Sequence, residues 1–498
     1  MIFMVLGCTS GTVFANDIAI NIEISKENFP DETFRTWLTK NIKNEGTYFT
    51  PAQCNNVKSI DCSYSTIQEY YNKIKSDIPS KIKSLEGLRC FPNLEELNCS
   101  GNDLKSFSIH DVISEGKLTT LNCSNNPSLQ QILFGKGHCG SLSNLNCSNN
   151  NSLTEVIISD HPTLTKLNCS NNPKLKSLYL NRCALTELEI KGDTNLASIV
   201  CTHNNFEKLD FTDFTNLQYL DCCYNSKLTS LTGVSNKTNL GIISCDYTAL
   251  TELTVQGNDN FIAITCNYNS KLTKLICSNN KAMNIMQVST NPLLKYLDCS
   301  NNALTTLNGT IEIFDDSGNN NLITVENLET LTSLETLNCS NQKDADGNKT
   351  LTSLNVAKNT ALKTLNCSNN ALTTLNKVGT TQNLETLTSL ETLNCSNNAL
   401  KSLDVSKSTN LTSLYCQNNA LGFLDVSKNT ALKTLNCSDN ALKSLDVSKN
   451  KTLTQLYCEK NALKSLDVSK NSAMKHLSCS GNPLESLKIL VSCSYLIA

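Results

Sequence analysis

The sequence predicts a mainly β solenoid, and three observations lead to this fold class. Cysteines recur every 21 residues near the carboxyl end, at Cys395, Cys416, Cys437, Cys458 and Cys479. Each lies in the frame L-x-x-L-x-C-x-x-N, of which residues 411–419 are one copy. A second frame, Leu-Asp-Val-Ser, lies midway between the cysteines and is centred on Val405, Val426, Val447 and Val468. A fixed period of about 20 to 29 residues with this leucine spacing is typical of a leucine-rich-repeat solenoid.

The frame also predicts how each coil is built. Alternate residues of a strand face opposite sides, so the two leucines and the cysteine are expected to point inward. We therefore expect one parallel sheet of cysteine-bearing strands in a superhelix, with short strands or 3-10 turns on the opposite side. The asparagine three residues after the cysteine, as at Asn126, is expected to turn inward and bond the neighbouring coil's backbone. Thr248 and Gln342 replace this asparagine, and the sequence predicts that they interrupt the series.

Cysteines at the frame position form a predicted structural ladder. Equivalent Cα atoms of adjacent coils are expected about 4.8 Å apart, with their Cβ atoms as far apart, whereas a disulfide needs Cβ atoms about 3.8 Å apart. The ladder is therefore predicted to consist of buried, reduced thiols that act as small hydrophobic side chains. Its members are Cys99, Cys123, Cys147, Cys169, Cys201, Cys222, Cys245, Cys266, Cys299, Cys339, Cys367, Cys395, Cys416, Cys437, Cys458 and Cys479.

Two ladder intervals are longer than one coil. The interval from Cys169 to Cys201 is 32 residues and that from Cys266 to Cys299 is 33, which is three half-coils in each case. Either the cysteine strand changes sides after Cys169 and changes back before Cys299, or two coils are simply longer. Both alternatives predict a distinct middle section over residues 180–288.

The sequence predicts four segments. Residues 1–15 are predicted to be a partial signal peptide, because residues 2–6 are apolar and Val13-Phe14-Ala15 places small residues before Asn16. A disordered amino end is the alternative, and residues 5–8 also resemble a lipoprotein cleavage box. Residues 16–88 are expected to form a small α-helical cap, residues 89–487 the solenoid and residues 488–498 a tail. No other segment approaches the roughly 20 apolar residues of a transmembrane helix.

Two stretches of the cap carry a resemblance to a known family. Phe-Pro-Asp-Glu-Thr-Phe-Arg-Thr-Trp at residues 29–37 and the leucine frame at residues 85–94 resemble the cap of cysteine-containing bacterial leucine-rich-repeat surface proteins. The repeats themselves resemble internalin-like surface proteins with a cysteine ladder. The resemblance implies a secreted or cell-surface protein that acts in adhesion or host interaction through its repeat face. The calcium-type loop of that cap has Ala52 or Gln53 where a bidentate Glu belongs, so no cation is expected there.

Composition and motifs exclude several function classes. The net charge is −3 and no basic run occurs, which argues against a nucleic-acid partner. No zinc spacing, glycine-rich phosphate loop or paired carboxylates are found, and buried ladder thiols would be poor nucleophiles. The sequence therefore predicts a non-enzymatic module without metal or cofactor that binds a protein or glycan ligand. A structural spacer without a ligand and a fragment of a repeat-bearing enzyme are the alternatives.

Tyrosines that interrupt a polar outward stripe are the candidate ligand-binding residues. Asparagines such as Asn98 and Asn122 form most of this stripe. Stacked tyrosines offer rigid contact area and a hydroxyl group, which suits protein or sugar recognition. The alternative is that they only brace turns. The candidates fall into three frame positions: Tyr219 and Tyr296; Tyr224, Tyr247 and Tyr268; and Tyr415 and Tyr457.

Overall fold

The structure is a computed structural model. It describes residues 21–42, 46–108, 117–135, 141–304, 310–314, 320–324, 328, 331–343, 348–349, 351–375, 377–378, 381–382, 384–489 and 495–497. The predicted signal segment, residues 1–15, lies outside these ranges, as do residues 490–494 of the predicted tail. The chain forms two compact units, the first from residues 1–207 with 213–227 and the second from residues 208–212 with 228–498.

The amino-terminal part contains three short α-helices. They are α1 (Glu32–Asn41), α2 (Pro51–Asn56) and α3 (Tyr64–Lys73). Asp31 caps α1 by accepting a hydrogen bond of 2.9 Å from the Phe34 N–H, as expected for an acidic residue at a helix start. Phe34 packs edge-on against Phe29, which in turn contacts Phe49. These buried rings give the predicted helical cap an apolar core of its own.

Short parallel strands make up almost all of the remaining regular structure. The first fifteen are β1 (Ile22–Glu23), β2 (Tyr48–Phe49), β3 (Ser59–Asp61), β4 (Glu96–Asn98), β5 (Phe107–Ser108), β6 (Thr120–Asn122), β7 (Gln131–Phe134), β8 (Asn144–Asn146), β9 (Glu155–His161), β10 (Lys166–Asn168), β11 (Ser177–Cys183), β12 (Glu187–Glu189), β13 (Ser198–Val200), β14 (Lys208–Asp210) and β15 (Tyr219–Asp221).

The second half of the chain continues in the same way. Its strands are β16 (Ser230–Thr232), β17 (Ile242–Ser244), β18 (Glu252–Thr254), β19 (Ala263–Thr265), β20 (Lys274–Ile276), β21 (Ile285–Gln287), β22 (Tyr296–Asp298), β23 (Thr310–Phe314), β24 (Asn320–Thr324), β25 (Thr336–Asn338), β26 (Thr364–Asn366), β27 (Lys377–Val378), β28 (Thr381–Gln382), β29 (Thr392–Asn394), β30 (Ser413–Tyr415), β31 (Thr434–Asn436), β32 (Gln455–Tyr457), β33 (Ser465–Asp467), β34 (His476–Ser478), β35 (Ser486–Lys488) and β36 (Tyr495–Ile497). Two 3-10 helices, Leu88–Cys90 and Leu384–Thr386, complete the set.

The first unit contains two parallel sheets whose strands alternate along the chain. Sheet A has the order β12-β10-β8-β6-β4-β3, and sheet B contains β15-β13-β11-β9-β7-β5. Each coil thus contributes one strand to each sheet, and the leucines between them fill the interior, as at Leu121 and Leu145, which are 1% and 0% exposed. This is the predicted β solenoid with strands on both sides.

The second unit repeats this arrangement with different lengths. Sheet C contains β21-β19-β17, and sheet D has the eleven-stranded order β18-β20-β22-β25-β26-β29-β30-β31-β32-β34-β36. Two further parallel pairs, β14-β16 and β33-β35, and the antiparallel hairpins β23-β24 and β27-β28 lie outside these sheets. A leucine-rich-repeat solenoid with short second-side strands is therefore confirmed.

The cysteine strands occupy more than the one sheet expected. In the first unit, Cys169 follows β10 of sheet A, whereas Cys201 follows β13, which pairs with β11 of sheet B. In the second unit, Cys266 follows β19 of sheet C, whereas Cys299 follows β22 of sheet D. The long intervals are thus three half-coils that move the cysteine strand to the other sheet. The boundaries of the cap, middle section and tail stay predictions.

Buried asparagines bond the turns of neighbouring coils. Asn150 Oδ1 accepts a hydrogen bond of 2.6 Å from the Asn126 N–H, while Asn150 Nδ2 donates to the Cys147 carbonyl at 2.7 Å and the Cys123 carbonyl at 3.3 Å. Such bonds satisfy backbone groups that water cannot reach. Gln342 was expected to interrupt this series, and that expectation is wrong: its Nε2 donates to the Cys299 carbonyl at 2.7 Å.

All 22 cysteines in the described ranges are free and buried. Burial raises the pKa of the Cys54 thiol to about 11 and that of the Cys367 and Cys437 thiols to about 12, because a thiolate loses its hydration inside the coil. Even where two ladder sulfur atoms approach closely, at Cys147 Sγ and Cys169 Sγ, they lie 3.2 Å apart and are not bonded. These thiols pack as apolar side chains.

We expect the ladder thiols to react with an alkylating reagent only after unfolding. A pKa higher by one lowers the thiolate fraction about tenfold, and the solenoid also shields the sulfur atoms. Mass spectrometry after alkylation at pH 8, with and without denaturant, measures this difference. Peptides joined by coil-to-coil disulfides in the native protein would contradict the expectation.

Candidate ligand-binding surface

Outward side chains of the solenoid are arranged in columns, because parallel strands pair residue for residue. On sheet A the register aligns Asn122 with Asn98 and Asn146. On sheet B the same register aligns Ile157 with Leu133 and Tyr179. The outer surface is therefore polar on sheet A and apolar on sheet B.

The apolar column of sheet B contains Leu133, Ile157, Tyr179 and Val200, one residue per coil. Leu133 is 46% exposed, and the other three side chains are half-buried. The column ends at Asp221, which pairs with Val200. Soluble proteins rarely line up apolar side chains on an open sheet surface without a use for them.

Polar groups border this apolar column. On one flank the register aligns Glu155, Ser177 and Ser198, and Tyr219 continues their line. On the other flank Thr202 donates a hydrogen bond of 2.7 Å from Oγ1 to Asn181 Oδ1. The surface thus has an apolar centre and a hydrogen-bonding border that includes the Glu155 carboxylate, as in protein interfaces with a polar rim.

A second column is formed by residues with positive φ, two positions after the cysteine position of the frame (Cys123 and Asn125, for example). In sheets A and D asparagine is the usual residue there, with φ of 57° at Asn125 and 56° at Asn301. In the coils of sheet B the position holds Asp160, Arg182, His203 and Tyr224, with φ of 58°, 52°, 54° and 58°. Asparagine adopts this conformation readily, whereas other L-residues pay about 1–2 kcal/mol.

The aromatic members of this column stack in pairs. In the first unit the His203 and Tyr224 rings lie 4.2 Å apart with an interplanar angle of 12°. In the second unit Tyr247 and Tyr268 lie 4.5 Å apart at 7°. Tyr224 and Tyr268 are each 46% exposed. The stacks therefore offset part of the backbone strain while leaving ring edges and hydroxyl groups to solvent.

Hydrogen-bonding side chains lie beside the second-unit pair. The Asn267 N–H donates to Asp246 Oδ1 at 2.6 Å, and Ser289 Oγ donates to Asn267 Oδ1 at 2.9 Å. Asp246 and Asn267 immediately precede Tyr247 and Tyr268 in the chain. Aromatic and polar groups are thus combined on sheet C as well.

The other candidate tyrosines do not join these pairs. Tyr219 begins β15 of sheet B, whereas Tyr296 begins β22 of sheet D, so a shared frame position does not put them on one sheet. Tyr415 and Tyr457 both end strands of sheet D, but Asn436 lies between them in the register. Sheet D therefore carries isolated tyrosines, whereas sheets B and C carry stacked ones.

Five residues of this surface were not predicted from the sequence. His203 differs in type from the tyrosines that mark the positive-φ position elsewhere. The other four residues do not occupy the cysteine-strand positions of the regular repeats: they are Leu133, Ile157, Tyr179 and Val200. The first three belong to the alternate strands β7, β9 and β11. The available signal was the unbroken apolar run at residues 156–158, which places an apolar residue on each side of the strand.

Sites for chemistry are sparse in the described part of the chain. No group of three or more His, Cys, Asp or Glu residues there is placed to hold a metal ion. A shallow depression of about 250 Å³ lies on sheet A, lined by Asn144, Asn146, Lys166, Leu167, Asn168, Glu187 and Glu189. Among the described helices, none combines the length and apolar character needed to cross a bilayer.

We expect Tyr268→Asn to change the free energy of unfolding by no more than about 1 kcal/mol. Asparagine relieves about 1–2 kcal/mol of positive-φ strain, whereas the lost ring pair costs about 0.5–1.5 kcal/mol. Urea denaturation followed by circular dichroism gives the value. Ile264→Ala, a change at a fully buried residue of β19, is the reference and should cost about 2–5 kcal/mol. A loss of that size for Tyr268→Asn would make the tyrosine pair a structural brace.

No protein-family model matches the chain, and no curated protein sequence matches it. Among solved structures, the functional domain of InlJ from Listeria monocytogenes, described as including a cysteine ladder, is 23% identical. That likeness covers 93% of this chain and 76% of InlJ's, with a TM-score of 0.30. The Leptospira interrogans protein LIC12759 is 18% identical over 89% of this chain and 97% of its own, with a TM-score of 0.36.

The internalin InlF from Listeria monocytogenes is 15% identical over 92% of this chain and 97% of its own, with a TM-score of 0.26. The fold assignment itself rests on the repeat frame, the parallel register of the strands and the buried leucines and cysteines. The chain is a leucine-rich-repeat β solenoid that carries a cysteine ladder.

Proposed function

We propose that the chain is a non-enzymatic recognition module, secreted or exposed on the cell surface, that binds an extracellular protein in adhesion or host interaction. Each unit contributes a candidate patch of its own. In the first unit it is the apolar column Leu133, Ile157, Tyr179 and Val200 with the stacked pair His203–Tyr224, and in the second unit it is the stacked pair Tyr247–Tyr268. The observation that carries the proposal is the contrast between this surface and the asparagine columns of sheet A.

The apolar column favours a protein ligand. Burying an apolar side chain of this size contributes about 1.5–3 kcal/mol when it passes from water to a packed contact. Four such residues in line, bordered by glutamate, serine, threonine and asparagine, have the composition of an interface centre with a polar border. A sugar would use the hydrogen-bonding border but gain little from leucine, isoleucine and valine side chains.

The stacked pairs are a second, independent argument for a role in recognition. Non-glycine residues with positive φ, other than asparagine and aspartate, carry backbone strain that is most often found at functional sites. Tyrosine is also among the residues that dominate binding energy at interfaces. Of the repeat positions with positive φ, four hold an aromatic residue, and a spacer without a ligand would gain nothing from aromatic rings there.

Absence of catalysis is supported by the state of the nucleophiles. The cysteines of the described ranges are buried, and burial raises the pKa of thiols such as Cys367 and Cys437 to about 12, so these hold no reactive thiolate near neutral pH. The surface residues of the columns are mostly neutral and lie on flat strands. Location outside the cell rests on the apolar segment before Asn16 and on the resemblance of the repeats to internalin-like proteins.

We expect changes in the columns to weaken binding to epithelial cells. The purified, fluorescently labelled chain is titrated onto cultured monolayers. Ile157→Asn with Tyr179→Asn installs the residue that sheet A carries in this column, and Tyr224→Asn with Tyr268→Asn installs the usual positive-φ residue. Each pair should weaken the apparent affinity at least about tenfold, the loss typical of removing interface anchors.

Asn144→Ser with Lys166→Ser, on the exposed side of sheet A, is the matched control and should retain the original affinity. Trypsin treatment of the cells should abolish binding, whereas treatment with glycosidases should leave it. Full affinity of both column variants, or no binding of the unaltered chain to any cell line, would reject the proposed surface. Loss of binding after glycosidase treatment alone would identify a glycan ligand and reject the protein ligand.

We expect the chain to be exported when expressed in a Gram-negative host. If residues 1–15 act as a signal peptide, the periplasmic fraction contains a protein whose first residue is Asn16. Amino-terminal sequencing and intact-mass measurement of that fraction provide the check. A chain that stays in the cytosol with its first residues intact would contradict secretion by this segment.

A further inference from the structure

One position in the buried asparagine series of sheet A holds a carboxylic acid. The series runs through Asn126, Asn150 and Asn172, and the next coil places Asp193 at the same position. Asp193 takes over the acceptor role, because its Oδ1 accepts a hydrogen bond of 2.6 Å from the Asn172 N–H. The side chain is 0% exposed.

The second oxygen of Asp193 lacks the hydrogen that an asparagine would supply there. In Asn126 the Nδ2 group donates to the Cys123 carbonyl at 3.0 Å and the Cys99 carbonyl at 3.2 Å. At Asp193 the equivalent atom is Oδ2, which is buried and makes no hydrogen bond. In the equivalent place the Asn126 Nδ2 group meets backbone carbonyl oxygen atoms, which have lone pairs only. An ionised carboxylate there loses its hydration without gaining a hydrogen bond to Oδ2.

We propose that protonation of Asp193 closes the coil between β12 and β13. In the protonated state its Oδ2–H donates to the backbone, as the asparagine side chains do in their coils. In the ionised state this bond is missing and the coil unfolds locally more readily. A proton on Oδ2 restores the donor that Asn126, Asn150 and Asn172 supply in their coils. The only atom exchanged with solvent is that proton, and the side chain keeps its place in the series.

The direction of the titration agrees with this geometry. Burial raises the pKa of the Asp193 carboxyl from its usual 3.8 to about 7, while the hydrogen bond from the Asn172 N–H acts in the opposite sense. Between these two values the folded state holds the proton and the unfolded state does not. The contribution to stability is therefore full below pH 4, falls as the pH rises from 4 to 7, and is lost above 7.

No nearby cation is placed to keep the carboxylate ionised. Within the described ranges no ion pair involves Asp193. On its own coil, Glu189 and Lys191 are exposed at the strand end. The coil before it contributes Asn172 and the buried thiol of Cys169, and the coil before that contributes the Cys147 thiol. By sequence spacing the next coil has Phe214 at the equivalent position. The hydrogen bond with Cys169 and burial hold the pKa of the Cys147 thiol well above its usual range, so this group brings no charge to Asp193.

The coil concerned leads directly into the recognition surface. Four residues separate Asp193 from β13, which carries Val200 and precedes His203. Loosening this coil above pH 7 would therefore reach the apolar column and the first stacked pair. This last consequence rests on the proposed function, whereas the closure itself does not.

The test compares unaltered protein with Asp193→Asn at pH 5 and pH 8, without any ligand. Hydrogen exchange, corrected for the intrinsic pH dependence of amide rates, is followed by mass spectrometry in peptides covering residues 187–200. We expect protection in the unaltered protein to fall at least tenfold more between pH 5 and pH 8 than in Asp193→Asn. At pH 8 the variant should be the more protected protein. Peptides of β30 and β31 in the second unit should respond alike in both.

A second variant, Asn172→Asp, moves the same chemistry one coil along the series. It should introduce a new pH-dependent loss of protection around β10, which shows that the effect belongs to an acid at this kind of position. Equal pH responses of Asp193→Asn and the unaltered protein would overturn the proposal. Lower protection of Asp193→Asn at both pH values would also overturn it, since the ionised carboxylate would then stabilise the coil.

Binding to epithelial cells at pH 5 and pH 8 separates the two proposals. If pH changes hydrogen exchange but not cell binding, Asp193 closes the coil as proposed but does not affect recognition. If hydrogen exchange shows no pH effect of Asp193 while the column variants still weaken cell binding, the closure is rejected and the proposed function is retained.

Discussion

The residue-for-residue register of parallel coils is the constraint on which the rest of this structure depends. Leu121 pairs with Leu97 and with Leu145, and the same one-coil repeat applies to every inward and outward position. Any buried polar group is therefore repeated along the whole stack and must be bonded in each coil. The amide nitrogens of the inward asparagines meet this requirement, as at Asn150, whose Nδ2 donates to carbonyl groups of its own coil and of the preceding one. Cysteine fits between them because it fills the space without introducing a further strong donor or acceptor.

Most of the fold was predictable because this constraint acts on the sequence directly. The leucine and cysteine spacing predicts the coils and their inward faces, and the segment around Phe29 and Phe34 predicts the cap helix. The side on which a cysteine strand lies was not predictable, since a 32-residue interval is compatible with a long coil until β13 is seen to pair with β11. Gln342 was misjudged because side-chain reach matters more than residue type: one extra methylene still lets the amide donate to the Cys299 carbonyl.

The candidate surface was only partly predictable for a related reason. Tyr224, Tyr247 and Tyr268 stand out in the sequence, but the apolar column does not, because buried parallel strands also contain unbroken apolar runs. Ile157 looks like one more core residue beside Val156 and Ile158 until the strand shows which two of the three point inward. The partner of Tyr224 is His203, and only the three-dimensional register reveals that a histidine and a tyrosine one coil apart form a pair.

The positive-φ column also limits which substitutions the chain tolerates. At a backbone angle near 57°, as at Asn125, a change among asparagine, aspartate and glycine is close to neutral, so those residues exchange freely over time. A change from asparagine to tyrosine is penalised at once, and the stacking partner that offsets it must arise separately in the next coil. Once both rings are present, their contact offsets most of the strain, so each member of a pair depends on the other for its contribution to stability. His203 and Tyr224, and likewise Tyr247 and Tyr268, are therefore expected to be replaced as pairs rather than singly.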